Sequence, residues 1–442
     1  MDLLDKLPAL VAIFAGFTVV RIAVDKARTH LSLRKIPGPP VSSYLWGEEW
    51  ELYHSAPGSL YTSWHKRYGP VVRFSGAFGH QILTITDPRA ISFILSEKTY
   101  SFPKARGVRA WFEATVGKGI LWIEGKSAHE RQRRFLAPPL RDEALSQSLD
   151  ELTNNEHRAS SFYMRALFWI FPSILQTGRK GAIIQQTKKL LGEVAISMWQ
   201  DAKAGGDRSG KSLMAQLLRI EEDEKTPIGE EELVSQMRSI ISAGYEPVSA
   251  TLSWILYELS VNQDLQQELR EEVATLTDNS MGSINALRLL DAVIKETLRI
   301  HPPISENHHE AGSTISIPLS SPLSGSGDTE ILVPEGTVLA IPLTVIHRDQ
   351  KTWGPDANAF RPKRWFDIQR EKERQLMAFS EGPHTCLGRT FAVLELKIAI
   401  LTLISQFKFR CDVEIEEFQS FVVRPRVKEQ TASSLPLMVS RV

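Results

Sequence analysis

Cysteine is nearly absent: the 442 residues include only Cys386 and Cys411. A disulfide framework is excluded, and no C-x-x-C pair exists to hold zinc or run dithiol chemistry. Net charge is also missing, since 52 Lys and Arg balance 52 Asp and Glu. That excludes a strongly basic nucleic-acid binder, so no nucleic-acid partner is expected. Phosphate-cradling glycine patterns, G-x-S-x-G, H-E-x-x-H and internal repeats are lacking too. His129-Glu130 is followed by Arg133 where a second metal ligand would have to stand. What remains is an ordinary globular composition, 42% hydrophobic and 24% charged, long enough to bury a large core.

One apolar run stands out. Leu7 to Val20 is 14 residues without a charge, and Ile22–Val24 extends it past Arg21. A bilayer core takes about 20 apolar residues, with long cations snorkelling at the ends. A signal peptide or a buried helix are the alternatives, but a signal peptide starts basic and ends at a small-residue cleavage site. This run starts with Asp2, Asp5 and Lys6 and is followed by Arg21, Lys26, Arg28, Arg34 and Lys35 against Asp25. The charge bias predicts a single-pass membrane anchor over 1–25, with everything after it cytosolic. A basic, proline-rich hinge over 26–40 closes on Ile36-Pro37-Gly38-Pro39-Pro40, a stiff spacer. Residues 41–442 form the third segment, the body.

Within the body, Val71–Phe74 and Gln81–Thr86 flank Gly76–Gly79 and read as a hairpin. Asp87-Pro88 opens a helix. Helical patterns cover 183–204, Glu230–Leu259, Asn285–Ile300 and Arg389–Phe407, with strand-like pieces at 314–319 and 331–341. The 230–259 pattern alone implies a rod of about 45 Å. The expected class is mainly α with a small β portion.

The segment Phe379-Ser380-Glu381-Gly382-Pro383-His384-Thr385-Cys386-Leu387-Gly388-Arg389 carries the chemistry. A lone cysteine before a helix is often a small buried hydrophobe. Here glycines bracket it and an apolar helix follows, so the helix N-terminus favours a thiolate. Metal or haem ligation therefore stands beside the bland reading.

This segment resembles the haem-binding loop of the cytochrome P-450 superfamily, F-x-x-G-x-R/H-x-C-x-G. Three more motifs of that family follow its order along the chain. Glu296-Thr297-Leu298-Arg299 matches E-x-x-R, Phe360-Arg361-Pro362-Lys363-Arg364-Trp365 matches the P-x-R-F/W element, and Ala243-Gly244-Tyr245-Glu246 matches the start of A-G-x-[D/E]-T-T. The match spans nearly the whole chain and has the texture of fungal microsomal members.

The resemblance implies a haem-thiolate monooxygenase fold with haem b lying between the long helix and the Cys386 loop. Cys386 becomes the axial metal ligand, with Phe379 and Gly382 of its loop also binding the cofactor. His129, in place of the usual Trp, and Arg133 would bond the propionates, as would His384 and His309 where arginines are common. Gly244 and Glu246 would be catalytic. Glu296, Arg299 and Arg364 would form a buried charged cluster locking the loop before the cysteine. His308 and His347 read as ordinary surface or loop histidines. O2, a small apolar substrate and electrons from an NADPH-dependent flavoprotein reductase, docking near Arg131 and Arg134, complete the reaction. The substrate pocket would draw on 101–120, 160–180 and Leu332–Leu343, with Phe102, Trp111, Phe112 and Phe168 as an apolar lining. A microsomal member resides in the endoplasmic reticulum membrane.

Two departures from the family pattern follow. Pro247 and Val248 replace the two threonines, removing the hydroxyl that helps deliver protons during oxygen activation. Ser249, about 200° round the helix from Pro247, is a poor substitute, so Glu246 with water or a substrate hydroxyl would carry the protons. Second, the stretch from Arg133 to Phe171 is short for the family's D and E helices, so part of that region is expected to be missing. Its loss would bare Leu252, Ile255, Leu256, Leu394 and Ile398. These departures keep two alternatives in view: a haem-thiolate isomerase or dehydratase that needs no proton relay, and an inactive haem-binding variant.

Overall fold

A computed structural model describes residues 29–135, 162–163, 166–201, 203–204, 229–278, 280–368, 370–419 and 422–442, without the side chains of 133–135, 370 and 371. The anchor over 1–25, the hinge before 29 and the weak helix expected in 143–160 lie outside the described residues. Among those described, no helix is long and apolar enough to cross a membrane.

The longer helices are α1 (Ser59–Tyr68), α2 (Arg106–Thr115), α3 (Lys126–Phe135), α4 (Gly178–Asp201), α5 (Glu230–Val261), α6 (Gln263–Ala274), α7 (Arg288–Ile300) and α8 (Arg389–Gln406). Strands β1 (Val71–Ser75), β2 (Gln81–Ile85), β3 (Glu306–Glu310) and β6 (Val338–Pro342) make a four-stranded sheet in the order β1-β2-β6-β3. The predicted hairpin is β1–β2, in the register Val71↔Ile85, while β6 runs parallel to β2. Two-stranded sheets pair β4 (Ile315–Pro318) with β5 (Glu330–Val333), β8 (Ile415–Gln419) with β9 (Val423–Val427), and β7 (Phe407–Arg410) with β10 (Met438–Arg441).

The helical core follows directly from periodicity. In α7, Leu290, Val293, Ile294 and Leu298 bury against Ile255 and Leu259 of α5 and Ile400 and Ile404 of α8. Each such aliphatic side chain contributes roughly 1.5–3 kcal/mol on burial. The faces expected to be bared are therefore mostly covered: Ile255 is fully buried, and Leu252 and Leu256 pack on the same cluster. Ile398 alone among the five is exposed. Continuous helix over 285–300 is also corrected. The chain turns extended at Leu287, giving a short helix Met281–Ala286 before α7.

The proline-rich hinge does more than space the body from an anchor. Pro37 accepts the Arg73 backbone N–H at 2.9 Å, Leu33 and Ile36 are buried, and a Cβ on Gly38 would meet the Arg73 carbonyl at 1.7 Å. The last part of the hinge is thus docked on β1.

His301, just past α7, joins three elements. Its ring stacks on Trp254 of α5 at 3.9 Å, and its two nitrogens lie 2.9 Å from carboxylates of Glu258 and Glu417. Burial works to lower its pKa, but the hydrogen bonds and charges of the two carboxylates together hold it above the ordinary value.

Candidate active site

Two short 3₁₀ turns, Met377–Phe379 and Gly382–His384, precede α8 and shape the Cys386 loop. The chain reverses through positive φ at Ser380 and Gly382, 60° and 67°. Gly382 is required on two counts: a Cβ there would also lie 2.2 Å from the Leu95 carbonyl oxygen. Cys386 donates its backbone N–H to the Phe379 carbonyl at 2.8 Å and leaves its side chain exposed. The guanidinium of Arg389 lies 5.5 Å from the centre of the Phe379 ring.

Behind the loop, Glu296 and Arg299 are fully buried and Arg364 nearly so. Glu296 accepts from Arg299 Nη2 and Nε at 2.8 and 2.9 Å, Arg364 Nε at 2.9 Å, the Arg361 N–H at 2.8 Å and Trp365 Nε1 at 2.9 Å. Arg299 also donates to the carbonyls of His347 and Ala357 at 2.7 and 2.6 Å. The three charges are thus a buried cluster, as the resemblance implied, and not solvated surface pairs. His347, read as an ordinary surface or loop histidine, does lie in a turn but is fully buried, and its place beside this cluster was not foreseen.

Ala243 and Gly244 are exposed in the middle of α5, although Leu233 to Ser239 before them are all buried. A Cβ on Gly244 or on Gly388 would meet nothing within 4 Å. Open space thus lies at α5 and at the start of α8, two helices that pack together. Exposed small residues there and an exposed thiol suit the approach of a flat macrocycle.

The candidate propionate residues divide. His129 is buried, its ring 4.2 Å from that of His384. Tyr100 Oη lies 3.3 Å from His129 Nδ1, and His384 Nδ1 shares a 2.8 Å hydrogen bond with the Thr99 hydroxyl. His309 sits on β3 with Nδ1 3.0 Å from the Phe102 carbonyl. Burial lowers its pKa to about 4, opposed by that carbonyl, so it is neutral at physiological pH and makes no charge-for-charge replacement of an arginine. The side chains of Arg133 and Arg134 lie outside the described residues. Arg131 pairs with Glu232 at 2.6 Å.

Glu246 is buried and forms an ion pair with Arg424 of β9. Ser249 donates to the Glu246 carbonyl at 3.1 Å and Thr251 to the Pro247 carbonyl at 2.7 Å. Both hydroxyls are spent on the helix around the proline. The expected apolar lining is redistributed: Phe102 is buried in the sheet core with Phe93, and β6 is buried throughout, whereas Leu332 is exposed. Phe112 packs with Ile241 and Tyr245 beside Ala243, while Trp111 and Phe168 pack on Leu175 and Ile184.

Comparison with known proteins agrees with this architecture. The family profile described as cytochrome P450 matches residues 37–159 and 144–431. The chain is 29% identical to cytochrome P450 monooxygenase claU of Ampulloclitocybe clavipes over 534 aligned positions, covering 99% of this chain and 98% of the relative. It is 30% identical to claQ of the same fungus, covering 92% of each, and 27% identical to ganoderic acid synthetase CYP5150L8 of Ganoderma lucidum, covering 92% and 93%. The chain belongs to the cytochrome P450 family. It is an oxygen-incorporating oxidoreductase whose family binds haem through a cysteine thiolate. The profile matches in two segments that overlap over 144–159, within the stretch expected to be short for the family.

Proposed function

We propose that Cys386 supplies the axial thiolate and that the enzyme oxygenates a small apolar substrate with electrons from NADPH through a flavoprotein reductase. We further propose that 1–25 anchors it in the endoplasmic reticulum membrane with the body in the cytosol. The observation that carries the reading is the Cys386 loop itself: an exposed cysteine before an apolar helix, its N–H tied to Phe379, next to open space at Gly388. Haem bound through such a thiolate supplies O–O cleavage, placing one oxygen atom in the substrate and the other in water.

The residues of the chain then have separable tasks. Gly244 would leave α5 clear for the macrocycle, His129 and His384 would hold its propionates, and Phe112 with Tyr245 would supply an apolar wall. Glu246 is engaged by Arg424, so moving a proton through its carboxylate requires loosening that pair. No hydroxyl stands at 247. Reductant is therefore expected to drain partly into hydrogen peroxide, and Pro247→Thr is expected to raise the product-to-NADPH ratio several-fold. Equal ratios in both proteins would refute this account of proton delivery.

The overall reading is tested by incubating the full chain with NADPH, a fungal-type flavoprotein reductase, ¹⁸O₂ and a panel of terpenoid and aromatic hydrocarbons. One labelled atom per product molecule is expected. Unlabelled rearranged or dehydrated product, formed without NADPH, would instead identify the isomerase or dehydratase alternative.

A further inference from the structure

Between the buried charge cluster and the cysteine loop lies a side chain with no assigned task. His347 is fully buried in a turn that closes just after Ile346. Its backbone carbonyl accepts Arg299 Nη1 at 2.7 Å, and its ring Nε2 accepts the Met377 N–H at 3.0 Å. Met377 starts the 3₁₀ turn whose last residue, Phe379, accepts the Cys386 N–H at 2.8 Å. The Trp353 ring stands edge-on to the imidazole at 6.5 Å and 86°, and Trp353 Nε1 donates to the Ile346 carbonyl at 3.0 Å, which limits rotation of the ring.

We infer that His347 is a positioning residue for the thiolate ligand: its Nε2 lone pair ties the turn carrying Phe379, and through it the Cys386 amide, to the Glu296–Arg299–Arg364 cluster.

The chemistry of the bond requires a neutral imidazole with its proton on Nδ1, because only an unprotonated Nε2 accepts an N–H. The surroundings enforce that state. Burial, with the Arg299 charge adding to it, lowers the pKa of His347 to about 3. Arg348, the other cation in reach, works in the same direction. The ring is therefore neutral at physiological pH, which leaves the Nε2 lone pair for the Met377 N–H. The Met377 N–H is buried with its residue and cannot turn to solvent when the acceptor is lost. An apolar replacement would leave this donor stranded and loosen the turn, while leaving the Arg299 contact to the 347 carbonyl in place.

This inference rests on the assignment of Cys386 as ligand, and the test separates the two. Full-length wild type, His347→Leu and His347→Gln are reduced under carbon monoxide, and hydrogen exchange is followed in the peptide spanning 376–380. Wild type must show the red-shifted thiolate band; its absence would sink the ligand assignment itself. Given that band, H347L is expected to lose at least about half of it to the form lacking the thiolate, and to exchange about fivefold faster at 376–380, the factor for one net hydrogen bond. H347Q, whose amide oxygen restores an acceptor, is expected to keep both within about twofold of wild type. If H347L does not accumulate, His347→Phe replaces it, keeping a ring against Trp353 without the acceptor. An apolar variant with wild-type band and exchange, or a glutamine variant as impaired as the apolar one, would overturn the inference.

Discussion

Cys386→Ser is expected to abolish monooxygenation and to remove the red-shifted carbon monoxide band of the reduced protein. The substitution is nearly isosteric, and the residue is exposed in a loop shaped by Ser380, Gly382 and the Phe379 carbonyl, none of which it disturbs. What changes is the ligand chemistry. A free thiol ionises near pH 8.5 and lower at a helix N-terminus, whereas a serine hydroxyl stays protonated and is a poor electron donor to iron. The loss should therefore be complete while thermal unfolding of the polypeptide shifts little. Cys411 is the internal control: its thiol points at the Val413 carbonyl, 3.6 Å away, and Cys411→Ser should leave the spectrum unchanged. Retention of the band in C386S, or its loss in C411S, would transfer or cancel the ligand assignment.

The second large effect is on stability. Glu296 accepts five hydrogen bonds and neutralises part of the charge of two buried guanidinium groups. In Glu296→Gln the shape is kept, but the amide nitrogen cannot accept, and Arg299 and Arg364 lose their common counter-charge. Removing one member of a buried ionic cluster costs about 3–5 kcal/mol because the remaining charge is stranded. That is a large share of the 5–15 kcal/mol by which domains are usually stable. Arg299→Lys should do nearly as much harm, since a single ammonium cannot reach the carboxylate and the carbonyls of His347 and Ala357 together. Urea unfolding followed by tryptophan fluorescence and haem retention reads both effects. Coincident midpoints for E296Q and wild type would show that the cluster is not a clamp.

Much of the architecture was legible because it is local. Apolar residues at helical spacing make α7 and α8 readable from Leu290, Ile294, Ile400 and Ile404, and Asp87-Pro88 announces a helix through its cap, where Asp87 Oδ1 accepts the Ala90 N–H at 3.0 Å. β3 was illegible for the converse reason. Glu306-Asn307-His308-His309-Glu310 has no strand pattern, and it becomes a strand only because buried β6 offers it a ladder. The clamp was half legible: its carboxylate and guanidinium groups form named motifs, whereas the role of His347 arises from a contact between residues 30 positions apart in sequence.

The order of residues along the chain was enough to place a cysteine before an apolar helix, to mark Pro247 where a hydroxyl is missing, and to set the helical core. Folding alone decided that Arg424 engages Glu246, that His129 and His384 meet, and that His347 reaches Met377. The reason is range. Periodicity and capping act within one or two turns of chain, while a buried charge or a lone pair finds its partner through three-dimensional packing, which spacing along a sequence does not encode.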